Sequence, residues 1–270
     1  VTKNARTDPE TGLRFYDWQG TDLVSVTSVR RLLGMAHPLH QWTLSKVVER
    51  AVSEYDTLGQ MLAREATSAR ESTFRKKRIA EAKTWLRAAA TEERDAAGER
   101  GTSVHEAIAA GLAPTDRSLP GEVVPFLTQW YDFLAQTKAT VVASEKQVFS
   151  LRHGYAGTID LILEWLHRLL LVDLKTSKGL YLDHAIQVVG YAMADFVGED
   201  NVVDTDLTDK LHAVDGLALL HLRADGWELV EINATPDLFA AFTGSLAFAR
   251  FVHSNGESIE GLVRHTTKSS

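Results

Sequence analysis

The sequence predicts an α/β fold with a mixed central β-sheet flanked by helices, preceded by an N-terminal helical region. Three observations point there. Apolar residues repeat at spacings of three and four from Val26 to about Ala90, the period drops to two from Thr140, and beyond Trp165 helical and strand-like runs alternate. A chain of 270 residues, 44% apolar and 24% charged, has ordinary globular composition and can bury a substantial core. The expected organisation is a helical region over 1–97, a core domain over 98–255 and a tail over 256–270.

Thr27-Ser28 reads as the cap of a helix carrying Val29, Leu32 and Leu33, and the segment from Leu39 through Leu62 continues the helical repeat. Gly98 and Gly101 are expected to interrupt it, leaving Thr102 to Gly111 as a short separate helix with His105 and Glu106. Pro114 to Gly121 is turn-rich. Glu122 to Gln136 is amphipathic, with Val123, Phe126, Leu127, Trp130 and Leu134 on its buried side. Thr140 to Phe149 reads as a strand, Arg152-His-Gly154 turns the chain, and the next strand ends at Trp165. Tyr181 to Phe196 is expected to be a helix and Gly198 to Asp209 a polar loop. Gly216 to Leu222 and Trp227 to Ile232 read as strands, and Pro236 to Val252 as the closing helix.

The absence of cysteine excludes disulfides, thiolate zinc sites and cysteine-ligated iron–sulfur clusters. Any metal must be held by carboxylates, carbonyls, histidines or water. No run of eighteen or more apolar residues occurs and the N-terminal VTKNARTDPETG is polar, so neither a membrane span nor a secretory signal is expected. A cytosolic location follows by default. The net charge of -7 argues against a general polyanion binder. Arg70, Arg75, Lys76, Lys77, Arg78, Lys83 and Arg87 nonetheless make the stretch from 70 to 87 basic, which fits either a solvated helix face or a phosphate-tracking surface.

The chemistry concentrates in two apolar runs, Thr158 to Trp165 and Leu169 to Ser177. They carry Asp160, Asp173 and Lys175, yet Leu161, Ile162, Leu163, Leu170, Leu171, Val172 and Leu174 are apolar on both faces, so no wet face explains the charges. If Leu166-His167 is the loop of an antiparallel hairpin, Trp165 faces Arg168 and Asp160 faces Asp173. Directly opposed side chains have Cβ atoms roughly 4.5–5.5 Å apart. Two carboxylates there repel unless a divalent cation turns repulsion into ligation. Asp173 and Lys175 share a face because side chains alternate along a strand. Register is the critical assumption, since Leu-His is not a favoured turn and a one-residue slip separates the acids. On the preceding strand Glu145 shares a face with Val141 and Ala143. His105 follows Gly101 by one helical turn, and His184, Gln187 and Tyr191 share a helix face. Taken singly, Glu145, His105 and the Gln187–Tyr191 pair are each explained by surface polarity or packing.

Taken together, Gly101-x-x-x-His105, Glu145, Gly157-Thr-Ile-Asp160, Asp173-Leu-Lys-Thr176 and Gln187-x-x-x-Tyr191, in that order, resemble the RecB-type branch of the PD-(D/E)XK nuclease superfamily. The resemblance spans about residues 100 to 195 and implies a restriction-endonuclease-like core. It makes Asp160 the central metal ligand, Asp173 the acid of the (D/E)XK element and Lys175 the lysine that positions or activates water. His105 then joins Asp160 and Asp173 in the metal shell, Glu145 matches the acid of the first strand, and Gln187 and Tyr191 buttress the site. The family most often has Glu where Asp173 stands, one methylene longer. Without cysteines the chain resembles the small cluster-free members often encoded by phages and prophages.

The resemblance implies a Mg²⁺- or Mn²⁺-dependent DNA exonuclease of recombination, repair or replication, in a bacterial or phage-infected host cytoplasm. Its partner would be linear duplex or single-stranded DNA, with Arg75, Lys76, Lys77, Arg78 and Lys178 as candidate DNA contacts. A recombination partner protein and a ring-shaped homo-oligomer are open by analogy. A structure-selective endonuclease for flaps or branches would use the same residues. The competitor from another class is a DNA-binding or assembly protein with a nuclease-like fold and no catalysis. Trp42, Trp85 and Tyr181 are candidates for base stacking, against a plain role in core packing.

Overall fold

A computed structural model describes residues 5–32, 36–63 and 69–255. By internal contacts the chain forms two units, Gly34–Thr102 and the combination of Val1–Leu33 with Ser103–Ser270. The first contains helices α2 (Ala36–Ser53) and α3 (Tyr55–Leu62) and most of α4 (Ala69–Ala109). The helical run from Leu39 to Leu62 is thus broken at Glu54. Arg50 of α2 lies over the Trp85 ring of α4, 5.4 Å from its centroid, and donates to the Trp85 carbonyl at 3.0 Å. Gly98 and Gly101 do not interrupt α4 as expected. Each glycine costs about 1 kcal/mol in a helix, and the surrounding alanines, glutamates and arginines propagate the helix through both.

Three short strands open the other unit: β1 (Ala5–Thr7), β2 (Arg14–Trp18) and β3 (Thr21–Ser25), followed by α1 (Val26–Leu32). Among the described residues of the segment 1–97, helix therefore begins at Val26. Runs of three to five residues are too short to display a period, which is why these strands leave no sequence signal. After α4 come α5 (Val124–Thr137), β4 (Thr140–Ser150), β5 (Tyr155–Trp165), β6 (Arg168–Lys175) and α6 (Leu182–Ala192). The helix expected over Tyr181 to Phe196 stops at Ala192, and Phe196 opens β7 (Phe196–Glu199). The expected polar loop holds β8 (Val202–Asp204) and α7 (Thr205–His212), whose first turn is capped by the Asp204 carboxylate accepting from the Leu207 amide. β8 is exposed throughout, so its composition reads as loop. Strands β9 (Gly216–Arg223) and β10 (Gly226–Ile232) and helix α8 (Pro236–Asn255) complete the described chain. No described helix is long and apolar enough to cross a membrane.

The described strands join in one mixed ten-stranded sheet whose hub is β5. One edge of β5 pairs antiparallel with β4, and β7 and β8 continue outward from there. Its other edge is shared. Tyr155 and Ala156 pair parallel with β3, while Leu161 to Trp165 pair antiparallel with β6, which leads to β9 and β10. Gly157 to Asp160 therefore lies in a fork, with no strand on that edge among the described residues.

The hairpin takes the expected register, Trp165 opposite Arg168 and Leu161 opposite Val172. Leu166 and His167 adopt φ of +51 and +61, the left-handed pair that a two-residue type I′ turn requires. Neither residue favours that conformation. Burial of Leu161, Leu163, Leu170, Leu171 and Val172 fixes the register strongly enough to impose it. α1, α6 and α8 cover one side of the sheet around Val29, Ile186, Val189, Phe242 and Leu246. The end of α4 and α5 cover the other, around Val104, Ile108, Leu127, Trp130 and Phe133.

Candidate metal centre

The centre lies where regular strand pairing fails. Extending the β4–β5 and β5–β6 registers sets Glu145, Asp160 and Asp173 abreast across three strands, but no ladder bridge joins them. The β4–β5 bridges jump from Ser144–Leu161 to Lys146–Ile159, and the β5–β6 ladder ends at Leu161–Val172. Ala143 and Val148, five apart, pack in one core cluster, and Ile159 and Ile162, three apart, join them there. Strict alternation would put each pair on opposite faces. Side-chain alternation therefore slips by one residue on both strands, at Glu145 and at Asp160. Glu145 absorbs the slip with φ of +50 inside a strand, a conformation that costs an L-residue about 1–2 kcal/mol. Asp160 replaces a ladder bond with its side chain, Oδ2 accepting from the Leu174 amide at 2.7 Å.

His105, on the last turns of α4, brings Nδ1 to 3.4 Å from Asp160 Oδ1 and 3.7 Å from Glu145 Oε1. The ligand atoms of these three residues all lie within 4.8 Å of one another, the one such group among the described residues. Two bonds of about 2.1 Å to a shared small cation span at most ~4.2 Å, so the separations to His105 suit one ion between them. One imidazole and two carboxylates form a group that can chelate a divalent metal. The expected shell was His105, Asp160 and Asp173. The chelating group contains Glu145 beside His105 and Asp160, and the Asp173 carboxylate is in a tight ion pair with Lys175.

Asp173 is 1% exposed, and neither of its oxygens has a hydrogen-bond partner of normal geometry. Burial pushes its carboxyl up, Lys175 pulls it down, and Asp160 pushes it up again, leaving it at about 6. For Asp160, burial opposes the charge, but His105, Lys175 and the Leu174 amide outweigh burial and hold the carboxyl below its usual range. Burial likewise disfavours a charged His105. Asp160 and Glu145 overcome it and raise the imidazole to about 10, so in the metal-free protein a proton on His105 balances the acids.

Gln187 and Tyr191 are buried on α6 behind this cluster. Arg30 of α1 donates from Nη1 to Gln187 Oε1 at 2.9 Å, and Gln187 Nε2 donates to the Tyr191 hydroxyl at 2.7 Å. An arginine can only donate, so Arg30 fixes which end of the Gln187 amide meets Tyr191. The Tyr191 oxygen accepts, and its proton is left for another acceptor. Burial, Asp173 and Asp160 raise the Tyr191 pKa well above its ordinary value and keep it neutral. Arg30 is itself anchored by Asp183, at 2.9 Å. A Cβ on Gly157 would lie 2.5 Å from the Tyr191 ring, so the bare glycine lets Tyr191 pack against β5.

The structure thus brings together His105, Glu145, Asp160, Asp173, Lys175, Gln187 and Tyr191. Lys178 is exposed on the loop after β6. Arg75, Lys76 and Lys77 are exposed and Arg78 is half-buried on α4, in the other unit. Trp42 and Trp85 are half-buried there as well, whereas Tyr181 is exposed. Arg70 lies among residues whose side chains are outside the described set. Sequence reasoning missed Arg30 and His221. Arg30 belongs to no spaced motif, and its only signal is its place one turn after Thr27-Ser28, which the structure puts inside α1 rather than at its cap, Ser25 Oγ accepting from the Thr27 amide. His221 pairs with Lys175 across the β6–β9 ladder and its Nε2 meets the Ser177 carbonyl at 2.7 Å. The only sequence cue was a histidine interrupting the apolar run of β9.

What the fold and the site define is an α/β protein with a candidate divalent-metal centre. No protein-family profile matches the chain. No curated protein sequence matches it either. One similar solved structure is the crystal structure of SSO0001, at 16% identity and a TM-score of 0.30, the match covering 47% of this chain and 57% of that one. The chain therefore spans little more than half the length of that protein.

Proposed function

We propose that the chain is a metal-dependent deoxyribonuclease of the RecB-type branch of the PD-(D/E)XK superfamily, an exonuclease acting on linear duplex or single-stranded DNA. The observation that carries this reading is Asp173. A structural carboxylate is either solvated or hydrogen-bonded. This one is buried, its Oδ1 has no hydrogen-bond donor, its Oδ2 meets the Lys175 ammonium, and it stands beside a His–Glu–Asp chelating group. Such an arrangement is costly unless something from outside completes it.

Hydrolysis of a phosphodiester needs stabilisation of charge on the phosphoryl oxygens and a place for the proton of the attacking water. His105, Glu145 and Asp160 would hold Mg²⁺ or Mn²⁺, hard cations suited to these donors, and the ion would supply Lewis acidity. Asp173 would offer its unfilled Oδ1 to the ion or to the attacking water. Lys175 places positive charge where the transition state is most negative. Tyr191 presents a neutral hydroxyl held in one polarity by Gln187 and Arg30. The preference for free ends rests on the resemblance to the RecB-type branch.

Degradation of linear duplex and single-stranded DNA with Mg²⁺ or Mn²⁺ tests the reading, beside Asp160→Ala and Lys175→Ala. Expected are loss of cleavage in both variants and in EDTA, and no attack on closed circular DNA. Equal activity of wild type and both variants overturns the mechanism. Cleavage of closed circles overturns the exonuclease reading in favour of a structure-selective endonuclease, and DNA binding without cleavage in wild type favours the non-catalytic alternative.

A further inference from the structure

The loop between Lys175 and α6 carries an aromatic ring that the proposed chemistry leaves unused. Tyr181, six residues after Lys175, is 52% exposed, and Leu182 beside it is also exposed. Exposed side chains on loops are ordinarily mobile, but this loop is braced. His221, which pairs with Lys175 across the sheet, holds the Ser177 carbonyl at 2.7 Å, and the Ser177 hydroxyl donates to the Gly179 carbonyl at 2.7 Å. The Tyr181 amide donates to His184 Nδ1 at 3.3 Å. The ring stands edge-on to the His184 ring, with centroids 5.4 Å apart and planes at 71°. Its hydroxyl end lies over Gly179, 3.6 Å from where a Cβ would be. His184 is buried on α6, the helix that also carries the buried Gln187 and Tyr191 behind the metal centre.

We propose that Tyr181 is a stacking platform for a nucleobase of a single-stranded stretch of the DNA that Lys175 and the metal centre act upon. The inference rests on the nuclease reading and adds to it the contact that recognises the substrate as unpaired nucleic acid. A braced aromatic face is what a base of any identity stacks on, and an exposed lysine three residues earlier, Lys178, suits the adjoining phosphate backbone. Ordering cost is low because the loop is already tied down before the strand arrives. A duplex offers no free base face in its interior, so the platform favours single strands and frayed ends.

The test measures binding of labelled single-stranded oligonucleotides by fluorescence anisotropy, with Ca²⁺ in place of Mg²⁺ to hold the strand intact. Tyr181→Ala is expected to weaken binding about tenfold, and Tyr181→Phe and Tyr181→Trp to stay within about twofold of wild type. An abasic nucleotide is then moved along the strand. One position should cost wild type the same factor and cost Tyr181→Ala nothing, because the two changes remove one contact. If the abasic and alanine losses simply add, the ring meets something other than a base and the proposal fails. It also fails if Tyr181→Ala binds as wild type does while wild type still cleaves in an Asp160-dependent manner, a result that leaves the nuclease reading standing. A wild-type protein that neither binds nor cleaves DNA removes both. Unchanged melting of the three variants shows that the loop, rather than the fold, is being read.

Discussion

Replacing Glu145 by glycine and by alanine isolates the backbone strain at the metal centre. Both substitutions remove the carboxylate beside His105 and Asp160, so their electrostatic effects cancel on comparison. At φ of +50 a residue with a Cβ is strained by about 1–2 kcal/mol and glycine is not. Glycine brings its own penalty of roughly 0.5–1 kcal/mol, from greater freedom in the unfolded chain. The balance, about 0–1.5 kcal/mol, favours the glycine variant. At an ordinary strand position only the entropic term applies and the order reverses, so the sign alone decides. In a domain of roughly 150–250 residues, 1 kcal/mol shifts Tm by about 2–4 °C, well within reach of thermal melts or urea titrations in EDTA. Mn²⁺ titration of the same variants should show equal loss of affinity, since neither has the carboxylate. An alanine variant more stable than the glycine variant would refute the strained conformation and with it the slip that sets Glu145 beside Asp160.

Three further outcomes follow from the geometry. The Asp173 carboxyl sits at about 6, above its ordinary 3.8, so the folded state holds this proton more tightly than the unfolded chain. Its stabilising contribution is complete below its ordinary pKa and lost as pH rises through about 6. The Tm of metal-free wild type should therefore fall relative to Asp173→Asn between about pH 4 and 6, and a constant difference across that window removes the assignment. Arg30→Met frees the Gln187 amide to turn and should lower kcat about tenfold, in line with the loss of an outer-shell partner. Adding Gln187→Ala should cost little more, and full additivity in that cycle would sever Arg30 from Tyr191. Gly157→Ala drives a methyl into the Tyr191 ring and should destabilise by about 1–3 kcal/mol in urea titration, a value near zero showing that Tyr191 is not packed there.

The β5–β6 hairpin was legible because both strands are apolar on both faces, which leaves few registers that bury everything, and the sum rule for opposed residues does the rest. The ordered polar outliers could be read for the same reason: a charge inside such a run has no structural excuse. What stayed hidden is what sequence period cannot encode. β1 to β3 are too short to alternate visibly, and β8 carries no buried residue to betray it. Glu145 was placed on a strand face by parity, yet the left-handed turn of its backbone defeats parity, and no glycine or asparagine marks the spot. Asp173 as the third ligand is what the family resemblance implies; in the structure it is ion-paired with Lys175, and Glu145 is the acid grouped with His105 and Asp160.

The fork in the sheet explains why the centre sits at this level and not elsewhere along β5. Between Ala156 and Leu161 one edge of β5 has no strand neighbour, so its backbone is free to deviate, and Asp160 can spend its carboxylate on the Leu174 amide while Glu145 swings into reach. Each departure works against stability: a strained glutamate, a buried aspartate with one oxygen unmet, and three acids abreast whose repulsion in the metal-free protein is met by a protonated His105 and by Lys175. A single divalent cation relieves the repulsion and the unmet ligation together, and binding of that kind stabilises the folded state in proportion to its affinity. Substitutions that make the metal-free protein more stable at these positions should therefore be the ones that weaken metal binding, because the instability and the chelating geometry have the same residues as their source.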